Sequence, residues 1–174
     1  EMLGIEHPVM LAGMGGVSYH ELVAAVSEAG GIGTFGASTM SADELPEEMA
    51  KARALTSKPI GVDLLTALPG QVERGIQSVI DGGASIFVAG LGVPREVIDL
   101  LHSNNVLVGS MCGKVRHAVN AVASGVDFVV AQGVRHADRD RLLADPGEPL
   151  RQAPLAQETQ HLLLDQARHH QCAV

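Results

Sequence analysis

Val126-Asp127-Phe128-Val129-Val130-Ala131-Gln132-Gly133 reads as a strand that delivers a polar residue and a glycine turn to its C-terminal end. Its apolarity is nearly continuous instead of alternating, the habit of a strand covered on both faces in a parallel sheet. Working back toward the N-terminus, five more such runs recur at intervals of roughly 20–27 residues. They span Pro8–Ala12, Gly31–Phe35, Pro59–Leu65, Ser85–Ala89 and Val106–Gly109. Helical patterns fill the gaps. Val72, Ile76, Val79 and Ile80 fall on one helical face, and so do Val115, Ala118, Val119 and Val122. Pro94 suits a first helical turn, while Ala29-Gly30-Gly31 and Asp81-Gly82-Gly83 are glycine-type helix stops.

Alternating strands and helices make the chain α/β. Glycine-marked turns follow nearly every run: Gly13-Met14-Gly15-Gly16, Gly36, Asp63, Gly90-Leu91-Gly92, Ser110-Met111-Cys112-Gly113 and Gln132-Gly133. Chemistry collects at that end of the strands in barrels and in open sheets alike. A dinucleotide fold would carry Gly-x-Gly-x-x-Gly after its first strand and an acidic residue about 20 positions on. The spacing in Ala12-Gly13-Met14-Gly15-Gly16 differs, so the barrel is the preferred architecture. Its arithmetic does not close. Six strands end by residue 133, and 174 − 133 leaves 41 residues for two further units.

Those residues abandon the pattern. Of 20 glycines only Gly147 lies there, against four of the eight histidines: His136, His161, His169 and His170. The division expected is therefore a partial (β/α)8 (TIM) barrel over 1–133, with about six parallel strands, and an atypical tail over 134–174. Composition favours a replaced sequence for the tail, by frame change or truncated copying, over a short lid. The chain also opens at Glu1 without an initiator Met, as a fragment would.

Composition narrows the partners. Aromatics make up 2% and the net charge is −8, which leaves little to stack on bases and repels a phosphate backbone, so no nucleic-acid partner is expected. No apolar run approaches the length of a membrane span, and no charged-then-apolar leader opens the chain. Cys112 and Cys172 make no disulfide framework, and no zinc spacing is present. A cytoplasmic, reducing setting is the expectation.

Several landmarks occur in order and at matched spacing through about residues 3–133. Leu3-Gly4-Ile5-Glu6-His7-Pro8-Val9 leads into Gly13–Gly16, followed by Leu22–Gly31. Then come Gly61-Val62-Asp63-Leu64-Leu65, Lys114-Val115 and Gly125–Gly133. In this the chain resembles the nitronate monooxygenases, formerly 2-nitropropane dioxygenases, and their enoyl-acyl-carrier-protein reductase relatives. The resemblance implies an FMN-dependent barrel that oxidises alkyl nitronates with O2; the alternatives are the reductase activity and a non-catalytic half-barrel remnant. It implies that Gly13, Met14 and Gly15 lie along the flavin ring and that Asp63, Gln132 and Gly133 contact the cofactor. The family usually has Asn where Asp63 stands. An ionised Asp offers no donor and repels a phosphate, so a helix-cap or loop role is an equal expectation for it.

Glycines at 13–16 allow backbone N–H groups to approach a ring or phosphate, though a bare βα turn uses the same residues. Lys114 could neutralise an anion or simply be solvated. Cys112 is expected as a buried thiol facing the cavity, without a neighbouring base to activate it.

The family motif leads from Ala-Gln-Gly to Glu-Ala-Gly-Gly-His. Here Ala137 and Asp138 stand for the glycines, Arg139 for the histidine, and His136 falls three residues early. A general base must reach within about 3 Å of its proton, so no catalytic residue is assigned. Losing two or three phosphate contacts at roughly 1.5–3 kcal/mol each would weaken FMN by a few powers of ten. An incomplete barrel would also expose strand edges and self-associate.

Overall fold

In the computed structural model, residues 2–41, 43–66, 71–90 and 92–132 are described, with backbone alone for 71–74. Gly133 and the 134–174 tail lie outside them, as does the histidine-motif stretch. Five apolar runs form strands of one all-parallel sheet: β1 (Gly33–Gly36), β2 (Ile60–Leu64), β3 (Ile86–Ala89), β4 (Leu107–Cys112) and β5 (Phe128–Ala131). Between them run α1 (His20–Glu28), the 3-10 turn η1 (Ala37–Thr39), α2 (Glu44–Leu55), α3 (Gln71–Asp81), α4 (Arg95–Ser103) and α5 (Val115–Ser124).

The spatial order is the chain order, β1-β2-β3-β4-β5. Right-handed crossovers that always step to the same side keep every helix on one face, and the sheet then curls toward a barrel. A doubly wound sheet requires a reversal of order. None occurs among the described strands.

The Pro8–Ala12 run is the exception to the expected strands. It contributes one parallel bridge, Met10 to Ile32, through Leu11 N–H on the Ile32 carbonyl (2.9 Å) and Ile32 N–H on the Val9 carbonyl (3.0 Å). Pro8 has no N–H to extend the ladder below, and the glycine turn ends it above. With this segment the sheet accounts for the six runs expected. β4 continues through Ser110, Met111 and Cys112, which were expected as a turn.

Side chains alternate across the sheet and divide the core in two. Phe35, Val62, Phe87 and Val108 face the helices and meet Val23, Met49, Val79 and Leu101. Ile32, Ile86 and Val88 face the other way, with Leu107, Met111 and Phe128 on the same inner side. There Leu3 and Ile5 pack beneath them and cover the N-terminal end of the interior. Each such side chain withdrawn from water contributes about 1.5–3 kcal/mol. Helices end where glycine permits: Gly30 follows α1 at φ +89 and Gly83 follows α3 at φ +65. On α5 the apolar face is rotated from expectation. Ala118 is buried and Ala121 packs on the core, whereas Val119 is exposed.

α1 and α2 are locked together by Glu48, 6% exposed. Its carboxylate accepts from His20 N–H (3.1 Å) and Lys51 Nζ (2.7 Å), and lies 2.6 Å from His20 Nδ1. Burial alone would push this carboxyl up; hydrogen bonds from Lys51 and then His20 outweigh it and hold the group at about 2. A carboxylate held below its ordinary value of 4.5 adds stability above that pH and loses it as pH falls toward about 2. Urea unfolding followed from pH 5 to pH 2.5 should show that loss, and Glu48→Gln should remove about one proton from the slope.

Candidate functional site

The candidate site is the row of strand ends on the inner face, and the glycine loop after residue 12 is its centre. Four hydrogen bonds shape this loop. Met14 N–H donates to Ser18 Oγ (3.1 Å), and Ser18 Oγ donates to the Ala12 carbonyl (3.0 Å). Ser18 N–H and Val17 N–H both donate to the Met14 carbonyl (2.9 and 3.1 Å). Ser18 is wholly buried, so its hydroxyl acts as an internal staple closing the loop upon itself. Sequence reading missed Ser18. The available signal was a short hydroxyl residue between a glycine turn and a helix start, where such side chains commonly bond local backbone.

Three glycines let the loop sit flush on the sheet. A Cβ on Gly36 would collide with the backbone of Met14. One on Gly13 would strike Asp63, its Cγ and Oδ2 each at 2.9 Å, and one on Gly15 would lie 2.7 Å from Thr39 Cγ2. The side turned away from the sheet is open. Met14 is 40% exposed, Gly15 and Gly16 are exposed, and Gly16 (φ +73) has nothing within 4 Å of where a Cβ would stand. The N–H groups of Gly15 and Gly16 bond to no described residue.

Asp63 sits one residue before the end of β2, in register with Gly36 of β1 and Val88 of β3. Alternation with the helix-facing Val62 and Leu64 turns it to the inner face. It is therefore a strand residue inside the sheet's concavity, in place of the helix cap or loop residue expected as an alternative. No described residue donates to its carboxyl. Burial pushes that group up to about 6 from 3.8. Lower on the same face, Thr34 Oγ1 is buried without a hydrogen-bond partner among the described residues, a state costing about 1–3 kcal/mol.

Elsewhere the strand ends are tied by Leu65 N–H on Ser38 Oγ (2.9 Å) and Thr66 Oγ1 on the Gly92 carbonyl (2.6 Å). Gln132 follows β5, its N–H on the Cys112 carbonyl (3.0 Å) and its side chain exposed. The structure thus brings Gly13, Met14, Gly15 and Asp63 into one patch. It sets Gln132 at the same end of the sheet, with β3 and β4 between it and Asp63. Gly133 lies outside the described residues. Cys112 is buried but shares the helix-facing side of Val108, since Met111 faces inward; the expected orientation toward the cavity is corrected by that alternation. Lys114 is exposed at the start of α5. Among the described residues no cluster of three His, Cys, Asp or Glu could hold a metal ion, and no helix is long and apolar enough to cross a membrane.

The nitronate monooxygenase family profile matches residues 1–74. A probable nitronate monooxygenase of Staphylococcus saprophyticus is 29% identical, aligned over 76% of this chain and 47% of its own. The chain is thus similar to the nitronate monooxygenase family. The family is one of flavin-type oxidoreductases. A relative from Mycobacterium tuberculosis, a (3aS,4S,5R,7aS)-5-hydroxy-7a-methyl-1-oxo-octahydro-1H-indene-4-carboxyl-CoA dehydrogenase, is 34% identical over 76% of this chain and 37% of its own. The solved structure of FabK from Thermotoga maritima superposes with a TM-score of 0.71 at 32% identity, covering 76% of this chain and 42% of that one. The chain spans less than half the length of these relatives. The strand-end loop of this chain is the Ser18-stapled one. Ser18→Ala should cost about 1–2 kcal/mol in chemical unfolding, and hydrogen exchange at Met14 should rise while that of β3 stays unchanged.

Proposed function

We propose that this chain is the FMN-binding portion of a nitronate monooxygenase-type oxidoreductase. The observation that carries the reading is the loop at Gly13–Gly16: glycine is enforced on its sheet side by Asp63 and Thr39, while its other side and the N–H groups of Gly15 and Gly16 are open. A flat ring fits against such a surface, and a Cβ at Gly15 or Gly16 would intrude on it or bend the loop. Gly13, Met14 and Gly15 would hold the ring, Asp63 would meet it from β2, and Gln132 with Gly133 would close the far side. When bound, FMN would supply the redox chemistry for oxidising an alkyl nitronate at the expense of O2. The chain's own part is placement and exclusion of water. Ser18 fixes the height of the loop, and the Leu3–Ile5 segment covers the interior from below. No described residue is assigned the proton transfer.

A second reading keeps the site and changes the substrate to a thioester reduced with a nicotinamide donor. The acyl-CoA substrate in the name of the Mycobacterium tuberculosis relative favours it. Purified full chain mixed with FMN should retain flavin absorbance after gel filtration; colourless protein would rule out both readings. Under anaerobic conditions an alkyl nitronate should bleach the bound flavin and air should restore it. Bleaching by NAD(P)H, with colour returned by an enoyl thioester, decides for the second.

A further inference from the structure

Asp63 combines features not explained by a packing role. It lies on the inner face at the C-terminal end of β2, half-buried, with its carboxyl wedged against the Gly13 backbone. No charged side chain among the described residues around it offers it a partner. The Gly13–Ser18 loop, β1 with Gly36, η1 and the neighbouring residues of β3 contain no titratable or charged side chain. No described residue gives it a hydrogen bond. Partial burial without a donor favours the neutral acid, in keeping with the upward shift that burial causes here. A flat ligand laid on the loop would remove the remaining water from the carboxyl and deepen that preference.

We propose that Asp63 makes flavin binding by this chain proton-coupled: the neutral carboxyl donates a hydrogen bond to the bound ring, and the ionised carboxyl rejects it. The proposal rests on the FMN reading above and adds a pH dependence to it. Asp63 acts as a donor only while it holds a proton, the role an amide at this position would fill at any pH. Apparent affinity scales with the fraction of the competent form. With Asp63 titrating near 6, that fraction falls about 50-fold between pH 6 and pH 8.

The FMN phosphate itself titrates near pH 6, so riboflavin, which has none, is the decisive ligand. Quenching of flavin fluorescence by the full chain is titrated from pH 5.5 to 8.5 with FMN and with riboflavin, for wild type and Asp63→Asn. Both ligands should bind wild type more weakly as pH rises, approaching tenfold per unit. Asp63→Asn should give a flat riboflavin profile and bind more tightly than wild type at pH 8. A flat wild-type riboflavin profile overturns the coupling and leaves the FMN site standing. A steep profile that survives in Asp63→Asn overturns the assignment to Asp63. Absence of binding at every pH overturns this proposal together with the FMN site. Should the variant fail to fold, wild type alone decides, by calorimetry at pH 7.5 in two buffers of different ionisation enthalpy. Uptake of one proton on riboflavin binding supports the proposal, and none or release overturns it.

Discussion

Each strand of this sheet is added on the same side of the one before it, and the other features follow from that constraint. Parallel neighbours need a crossover, right-handed crossovers of constant direction put all the helices on one side, and the opposite face is left concave. The concave face is where Ile32, Ile86 and Val88 meet Leu107 and Phe128. It is also where Asp63 emerges, because its register with Gly36 and Val88 sets it one step from the strand end. Without that direction of growth the glycine loop would have no concavity to border.

Local polar contacts then fix what the topology leaves loose. Ser27 receives Gly33 N–H and donates to the Pro59 carbonyl, tying α1 to the entry of two strands. Asp127 receives Val108 N–H and pairs with His102, doing the same for α4 and the last two strands. Ser18 serves the loop in this way. Each of these is a short side chain satisfying backbone that a turn would otherwise leave unpaired in a buried place. The Gly13–Ser18 loop is therefore an edge held in shape by the chain's own contacts.

The strands were legible in the sequence because burial on both faces leaves an unbroken apolar run, as in Ile86–Ala89, and because glycine marks both helix stops at Gly30 and Gly83. What failed was legibility of things decided by partners. Pro8–Ala12 carries strand-like residues yet pairs through a single bridge, since proline below and glycine above limit its ladder. Val119 has the periodicity of a core residue, but α5 is rotated so that Ala121 takes the contact. The face of Cys112 depended on β4 running three residues further than its glycine suggested. Of the candidate site, the loop glycines could be read from their position after an apolar run and Asp63 from its place near the end of one, whereas Ser18 could not. Its role lies in two bonds to residues four and six positions away, which no composition or period encodes.

The contact between Gly13 and Asp63 also limits how this sequence can drift. Any side chain at 13 must displace the acid. Position 13 cannot gain a side chain while the acid stays where it is, which couples the two across the gap between two chain segments. Ancestors and descendants should carry matched pairs there, and a designer wishing to widen the cradle would have to rewrite both letters at once.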